Sequence, residues 1–360
     1  MSSESLNTGA MPDTLSYGEA LRLAMRDALA CRPDTIIMGQ GVDDHKGTFG
    51  TTLGLAGEFG ADRVFDTPLA EEGMTGIAIG AALNGLYPIM THIRADFVLL
   101  AMNQIVNLAA KYRYMFGGCF EVPMMIRMVV GRSWGQGAQH SQSPQSLFAH
   151  IPGLIVVTPS SPRAILSTYA HAVRHVRNPI LCIEHRLMYG LDFHMDEEMP
   201  ADPLTSRRIR RGRDLTIVAT SIMTLEAQRA ARHLADFGIE AEIIDLHCVS
   251  HPDHDLIMDS VRRTGRLLVA DTSWLPYGTA AEICRIVAER DPSALKAPVA
   301  TLGMAPASCP TAKSLEDVFY PSLRDLVDRA ARLVRGGNHG IPLPDERSMA
   351  DVYKRFKGPF

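Results

Sequence analysis

The hydrophobic positions of this chain fall into short continuous runs separated by longer amphipathic segments. In the first half, these runs predict strands at residues 35–39, 63–68, 86–93, 123–131, 154–159 and 180–185. Most of the runs are apolar throughout, which is typical of parallel strands buried on both faces. The segments between them have helical periodicity and predict helices at residues 17–30, 74–86, 97–116 and 161–175. Gly117 and Gly118 are expected to end the third helix.

Strand and helix patterns alternate again in the second half, after a polar, proline-containing segment at residues 193–213. They predict strands at residues 214–221, 240–246, 266–272 and 298–303, and helices at residues 223–237, 253–264, 278–289 and 321–334. This alternation predicts an α/β fold of two doubly wound domains. The expected boundaries are a first domain at 1–192, a linker at 193–213, a second domain at 214–335 and a polar tail at 336–360.

Composition narrows the class of protein. A chain of 360 residues with 46% hydrophobic and 21% charged residues can bury the cores of two globular domains. The net charge of −4 argues against nucleic acid or an anionic membrane as the main partner. The apolar runs are shorter than a membrane span, and the polar N-terminus does not resemble a signal peptide, so we expect a cytoplasmic protein. The six cysteines are scattered, which argues against a disulfide framework or a zinc site.

The segment FDTPLAEEGMTGIAIGAALNG, residues 65–85, places two acids after a buried strand. Open α/β sheets bind ligands at the carboxyl ends of their strands, so Glu71 and Glu72 are candidates for a binding site. The alternative is that both acids only favour the N-terminal end of a helix and face solvent. The glycines of this segment do not form a dinucleotide-binding fingerprint.

Two further candidates follow neighbouring strands. The glycine-rich segment GRSWGQGAQHSQSPQSLFAHIPGL, residues 131–154, carries His140 among polar residues, as binding loops often do. Phe97 begins the predicted helix 97–116. Taken alone, His140 also fits a structural histidine and Phe97 a core aromatic residue.

These segments together resemble a known family. The order DTPLAEEGMTGIAIGAALNGLYPIM, NLAAKYRYMFGG, GQGAQHSQSPQSLFAHIPGLIVVTPSSP and NPILCIEHRLMYG is similar to the β subunits of pyruvate, branched-chain 2-oxo acid and acetoin dehydrogenases. The similarity runs from about residue 16 to 334. It implies a pyrimidine-binding domain, a transketolase-type C-terminal domain and the cofactor thiamine diphosphate.

The resemblance also implies roles for single residues. Glu71 would hydrogen-bond N1′ of the cofactor pyrimidine and favour the imino tautomer that activates the thiazolium carbon. Phe97 would stack on the pyrimidine, and His140 would donate a proton or assist acyl transfer. Gln40 would contact the cofactor at a position where these enzymes commonly have an acid.

The sequence departs from the family near the expected pocket. The segment THIRADF brings Arg94 and Asp96 next to Phe97, and GRSWGQG carries Arg132 and Trp134 where smaller polar residues are common. The alternative interpretation is that each of these side chains lies on the surface or contacts another subunit. Together they suggest a substrate that is larger or more polar than pyruvate.

Thiamine enzymes bind diphosphate through Mg²⁺ on a GDG motif, and this chain has none. The resemblance therefore implies an α-type subunit that supplies the diphosphate and Mg²⁺ site, with a β–β dimer giving an α2β2 assembly. A lipoyl acyltransferase would accept the acyl group. One alternative is half of a split transketolase or carboligase that passes a two-carbon unit to an aldehyde or sugar. A catalytically inactive assembly subunit is a further alternative, which the presence of Glu71 and His140 argues against.

Overall fold

The structure is a computed structural model that describes residues 12–131 and 135–345. The strands within this part of the chain are β1 (Thr14–Ser16), β2 (Thr35–Gly39), β3 (Val64–Asp66), β4 (Tyr87–His92), β5 (Met125–Val130), β6 (Ile155–Val157), β7 (Ile180–His185), β8 (Asp192–His194), β9 (Arg207–Arg210), β10 (Leu215–Ala219), β11 (Ala241–Asp245), β12 (Leu267–Trp274) and β13 (Ala300–Met304). The α-helices are α1 (Tyr17–Cys31), α2 (Leu55–Phe59), α3 (Glu71–Leu83), α4 (Ala95–Val98), α5 (Tyr112–Met115), α6 (Gln145–Ala149), α7 (Pro162–His175), α8 (Ile222–Ala235), α9 (His254–Thr264), α10 (Thr279–Arg290), α11 (Lys313–Phe319) and α12 (Leu323–Arg335).

A six-stranded parallel sheet forms the first half, in the order β3-β2-β4-β5-β7-β6. Adjacent residues of a strand face opposite sides of the sheet. Ile36 packs in the core cluster on the side of α3, whereas Ile37 packs in the cluster on the side of α1 and α7. Both faces are therefore covered, and all six strands predicted for this half are confirmed.

The second sheet contains five strands in the order β13-β12-β10-β11-β9. Its first four strands are parallel, as predicted, and β9 pairs antiparallel to β11 at the edge. The segment 193–213, which we expect to be a linker, contains strand residues near both of its ends. His194 ends β8, which pairs with β1, and Arg207 begins β9 and forms an ion pair with Asp245 at 2.8 Å. Such short, charged edge strands have no continuous apolar run that would reveal them.

Two helix predictions also need correction. Helix α3 begins at Glu71, three residues before the predicted start at 74, because both acids occupy its first turn. The predicted single helix at 97–116 is broken into α4, a 3₁₀ turn at Leu99–Ala101, a π-helix at Gln104–Ala109 and α5. These segments are three to six residues long, which is too short for apolar spacing to distinguish helices of about 3.0 and about 3.6 residues per turn. Gly117 and Gly118 follow α5 with positive φ angles, as a helix end requires.

Backbone hydrogen bonds connect the two halves. Edge strand β6 meets the loop after β11, where Val249 N donates to Val156 O and Thr158 N donates to His247 O, both at 2.8 Å. This connection holds the edge strand of the first sheet against the loop after β11. None of the helices in the described ranges is both long and apolar enough to cross a membrane.

Candidate active site

Four residues singled out from the sequence lie at the carboxyl edge of the parallel sheet. Gln40 follows β2, Glu71 begins the helix after β3, Phe97 lies on α4 after β4, and His140 lies in the loop after β5. Parallel strands end at the same edge of a sheet, where α/β folds bind ligands. The fold therefore places all four along one edge.

Glu71 and Glu72 occupy different environments, although they are neighbours. Glu71 is partly buried, and its Oε1 accepts a hydrogen bond from Gln40 Nε2 at 3.0 Å. Glu72 is exposed and accepts a longer bond from Gln104 at 3.4 Å. Only Glu71 is thus oriented by a buried polar partner.

A close backbone contact fixes Gln40 itself. Its N–H donates to Thr91 O at 3.1 Å. The preceding Gly39 has a φ of +145°, and a Cβ there would lie 2.2 Å from the same carbonyl oxygen. Only glycine fits that position, so β2 can approach β4 and present Gln40 to Glu71.

His92 belongs to this site and was not predicted from the sequence. It is the last residue of β4 and is fully buried, with Nε2 hydrogen-bonded to Thr75 Oγ1 at 3.2 Å. Burial lowers the pKa of His92 to about 4, against the opposing effect of the Glu71 charge, so the imidazole is neutral near pH 7. Its Nδ1 has no hydrogen-bond partner among the described residues. Its position at a strand's carboxyl end was the signal that would have identified it.

Phe97 and His140 are in direct contact. Their ring centroids lie 5.2 Å apart with planes at 81°, so the edge of one ring meets the face of the other. The two segments are also joined by Asp96, whose Oδ1 accepts a hydrogen bond from Gln142 N at 3.0 Å. Burial raises the pKa of Asp96, although the bond from Gln142 and the nearby His140 act in the opposite direction.

Arg94 is buried at the start of α4, with 6% of its surface exposed. Burial lowers its pKa, and Asp96 and Arg186 are close enough to act on it electrostatically. Arg94 and Asp96 thus lie inside the fold at this edge. Two other residues noted in the sequence, Arg132 and Trp134, lie outside the described residues.

The second half of the chain holds the loop that carries His140. Gln145 Nε2 donates to Asp271 Oδ1 at 2.7 Å, and Ser143 Oγ is hydrogen-bonded to Thr272 Oγ1 at 2.9 Å. At the other end of the loop, Gly135 N donates to a carboxylate oxygen of Glu316 at 3.4 Å. The local sequence does not predict these contacts, because they join residues more than a hundred positions apart.

Two family models match the chain. The transketolase pyrimidine-binding domain matches residues 13–191, and the transketolase C-terminal domain matches residues 205–326. A solved structure described as a split gene transketolase, inactive β4 tetramer, superposes with a TM-score of 0.74 at 21% identity, covering 90% of this chain and 100% of that one. The fold is therefore of the transketolase class, as predicted.

Relatives with higher sequence identity are beta subunits of an acetoin oxidoreductase and of pyruvate dehydrogenases. The chain is 38% identical over 340 residues to acetoin:2,6-dichlorophenolindophenol oxidoreductase subunit beta of Cupriavidus necator, covering 91% of this chain and 100% of the relative. It is 37% identical over 323 residues to the mitochondrial pyruvate dehydrogenase E1 component subunit beta-2 of Oryza sativa, with coverages of 88% and 86%. For pyruvate dehydrogenase E1 component subunit beta of Rhizobium meliloti the identity is 34% over 329 residues, with coverages of 91% and 71%.

The chain belongs to the family of β subunits of thiamine-diphosphate-dependent 2-oxo acid dehydrogenases. The resemblance seen in the sequence is thereby confirmed. The dehydrogenase interpretation is favoured over the split transketolase. The chain is 38% identical to the acetoin oxidoreductase subunit but only 21% identical to the split transketolase, and this lower identity shows a common fold and nothing more.

The residues at the edge fit the pyrimidine half of this cofactor. An aromatic heterocycle with ring and amino nitrogens needs an apolar ring to stack on and polar groups at its rim. Phe97 offers the ring, and Glu71 and Gln40 offer an acceptor and an amide. The buried Nδ1 of His92, which lacks a described partner, shows that a polar group is missing from this edge.

Proposed function

We propose that this chain and an α-type subunit together decarboxylate a 2-oxo acid oxidatively and pass the acyl group to a lipoyl acyltransferase. The observation that supports this most directly is the hydrogen bond from Gln40 to the partly buried Glu71, at the carboxyl edge of a pyrimidine-binding domain. An acid held there differs from a solvated carboxylate, because its orientation is fixed before any ligand arrives.

In this proposal Glu71 shares a proton with N1′ of the pyrimidine. Thiamine diphosphate, when bound, supplies a thiazolium carbon that becomes a nucleophile after losing its proton. Gln40 orients the Glu71 carboxylate by donating to one of its oxygens, which leaves the other for the cofactor. Phe97 stacks on the pyrimidine and excludes water from it.

His140 acts at the reacting end of the substrate. Its ring contacts Phe97, so a group stacked on Phe97 lies beside the imidazole. A histidine at this position donates or accepts a proton as the acyl group moves to the lipoyl acceptor. The backbone bond from Gln142 to Asp96 supports the loop on which it lies.

The α-type subunit completes the site. We propose that it binds the diphosphate and Mg²⁺, since this sequence contains no GDG motif. Three large apolar side chains near Glu71 are exposed: Leu69 by 79%, Ile77 by 58% and Leu100 by 61%. An exposed apolar patch is typical of a subunit interface, and this one lies beside the proposed cofactor site that the α-type subunit completes. Along α3, a Cβ at Gly73 or Gly80 would meet no atom within 4 Å, so a partner can approach closely.

We further propose that two copies of this chain pair through their C-terminal domains, giving α2β2. That domain also exposes apolar side chains, among them Tyr277, Leu315 and Val318. A tetramer measured by light scattering after co-expression with the α subunit supports this arrangement, and a single αβ pair contradicts it. We also propose a cytoplasmic location, which the bacterial relatives support, although other relatives are mitochondrial.

The test is reconstitution with the α-type subunit, thiamine diphosphate and Mg²⁺, followed by a screen of 2-oxo acids with a dye as electron acceptor. We expect turnover by the complex, no turnover by either subunit alone, and weak binding of the cofactor by this chain alone. Decarboxylation by the pure single chain would contradict the shared site. Transfer of two-carbon units to aldehydes, without oxidation, would favour a transketolase-type reaction instead.

A further inference from the structure

A fully buried ion pair lies in the first sheet, and the mechanism proposed above gives it no role. Arg127 on β5 donates to both carboxylate oxygens of Glu184 on β7, at 2.8 and 2.6 Å, and neither side chain is exposed. A buried ion pair is often no more stabilising than an apolar pair of similar volume. Its contacts with the loop that follows β2 indicate a more specific task.

This loop, at residues 40–54, begins with Gln40 and has a strained backbone. Thr48 and Phe49 have φ angles of +39° and +60°, in the left-handed region that β-branched and bulky residues avoid. Such a conformation persists only where the surroundings determine it strongly. The contacts that hold the loop therefore also determine where Gln40 lies.

Thr51 connects the loop to the ion pair. Its side chain is fully buried, and its Oγ1 accepts a hydrogen bond from Arg127 Nη1 at 2.9 Å. The same hydroxyl donates to Thr48 O at 2.8 Å. Thr51 thus uses both its donor and an acceptor position to join the strained part of the loop to a fixed charge.

Thr48 connects the middle of the loop to its beginning. Its N–H and its Oγ1 both donate to Gly41 O, at 2.7 and 3.0 Å, and Oγ1 also donates to Gln40 O at 3.3 Å. Gln40 Nε2 in turn donates to Glu71 at 3.0 Å. An unbroken series of hydrogen bonds therefore runs from the ion pair to the carboxylate at the proposed cofactor site.

A second contact joins the loop to the same ion pair. The rings of Phe49 and Tyr189 lie 6.3 Å apart between centroids, with their planes at 67°. The Tyr189 hydroxyl donates to Glu184, and the Tyr169 hydroxyl does so at 3.4 Å. Both partners of the ion pair thus take part in holding the loop.

We propose that Thr51 and the buried ion pair are positioning residues for Glu71. They fix the loop that presents the Gln40 amide to the catalytic carboxylate. The catalytic role of Glu71 is that of the proposed function, on which this inference rests. A carboxylate that is already held in one orientation needs no reorganisation during the reaction. Loosening the loop should therefore slow turnover without weakening the binding of the 2-oxo acid.

The test compares Thr51→Val with Thr52→Val in the reconstituted complex. Both threonines are buried and valine has their shape, but Thr52 Oγ1 has no hydrogen-bond partner among the described residues, so it is a matched control. We expect Thr51→Val to lower kcat about 10- to 100-fold with little change in KM, because a small displacement of a catalytic group has effects of this size. Thr52→Val should change neither constant. Thr51→Ser keeps the hydroxyl and should retain most of kcat.

Two further measurements separate positioning from general stability. In a Gln40→Leu background, Thr51→Val should lower kcat no further, because the loop then has no amide to present. Hydrogen exchange of the backbone amides at residues 40–54 is followed by mass spectrometry on the full chain without cofactor. It should be about five- to tenfold faster in Thr51→Val than in the wild type or Thr52→Val, because a hydrogen bond that holds the loop is lost.

The contrary outcomes are distinct. Unchanged kcat in Thr51→Val, with or without faster exchange, overturns the inference and leaves the proposed function intact. Equal losses in Thr51→Val and Thr52→Val, or losses that add fully to that of Gln40→Leu, also overturn it. A wild-type complex that turns over no 2-oxo acid rejects the proposed function, and exchange then still decides whether Thr51 holds the loop. If Thr51→Val does not fold, Thr48→Val, which removes the next hydroxyl of the series, decides by the same measurements.

Discussion

Gln145 donates a hydrogen bond to Asp271 at 2.7 Å, which joins the helix after the His140 loop to β12 in the second sheet. The Asp271 carboxylate is fully buried and also accepts hydrogen bonds from Thr220 and Ser273, both at 2.6 Å. An acid with this many donors is rigid and strongly bound to its surroundings. The position of the His140 loop therefore depends on the packing of the C-terminal domain.

Replacing Gln145 with Met should lower both stability and turnover. The variant keeps the side-chain length but removes one donor from a buried carboxylate, which costs about 1–3 kcal/mol. Because the loop loses its anchor, we expect kcat of the reconstituted enzyme to fall more than the affinity for thiamine diphosphate. Thermal unfolding and steady-state kinetics measure the two effects. Gln228→Met on α8 is the matched control, and unchanged kcat in Gln145→Met would show that the contact serves stability alone.

Exchanging Glu71 for Gln should nearly abolish turnover. The amide has the size of the acid but does not share a proton with N1′, and loss of a positioned acid–base group costs about 10²–10⁴ in rate. This equals about 3–5 kcal/mol of barrier. The rate is measured in the reconstituted complex, with circular dichroism as a check on folding.

The matched control is Glu72→Gln, one residue further along the same helix. Glu72 is exposed, so its replacement should change only helix-end electrostatics, worth about 0.3–1 kcal/mol of stability. Equal and mild losses of turnover in both variants would show that Glu71 only stabilises the start of the helix. A large loss in Glu72→Gln alone would assign the catalytic role to the neighbouring position.

The free energy of unfolding should fall between pH 6.5 and 4, in part through two buried histidines. Burial lowers the pKa of His92 and of His247 to about 4, from 6.5 in the unfolded chain. Over this range the unfolded state binds protons that the folded state does not, so stability is lost as the pH falls. Each imidazole contributes up to about 1.4 kcal/mol per pH unit.

Thermal unfolding at about pH 7 and about pH 5 checks this expectation. His92→Gln and His247→Asn should each lose less stability on acidification than the wild type; asparagine is chosen at 247 because the residue has a φ of +49°. Replacing the half-exposed His171 serves as a control and should leave most of the pH dependence in place. An unchanged pH dependence in both buried variants would contradict the assignment.

Ile77→Lys should weaken assembly with the α-type subunit and leave the isolated chain folded. A lysine on the exposed face of α3 adds a charge that the proposed interface would have to bury. Met115→Lys is a matched control, because Met115 is 63% exposed, lies on α5 and belongs to neither proposed interface. Pull-down with tagged α subunit and circular dichroism measure the two properties. Equal binding by the two variants would place the interface elsewhere.

The core of the fold was predictable because buried parallel strands leave a continuous apolar pattern. Ile36 and Ile37, one after the other, pack on opposite faces of the sheet. An amphipathic helix with a single buried stripe would instead interrupt such a run with polar residues. The same pattern marks where those strands end. Together with the family resemblance, it was enough to predict Glu71 and His140 as candidate site residues.

The remaining parts depend on contacts between distant segments. Nothing in the local sequence pairs Gln145 with Asp271, 126 residues away. The position of His92 at the end of a strand marks it as a candidate, but its burial and its neutral imidazole depend on packing that the local sequence does not show, including the contact with Thr75. The breaks in the predicted helix 97–116 were not predicted, because each of its pieces is too short to have a distinct apolar period.

The hydrogen bonds from the loop after β11 to strand β6 have a consequence for solubility. Strand β6 is the last strand of the six-stranded sheet, and an uncovered edge offers its free N–H and C=O groups to other chains. Here Val156 and Thr158 use those groups within the same molecule. A fragment that stops before the second sheet would expose an apolar strand ready to pair with its own copies. The second domain thus covers an edge of the first sheet, and truncation between the two domains should produce aggregates rather than a smaller folded protein.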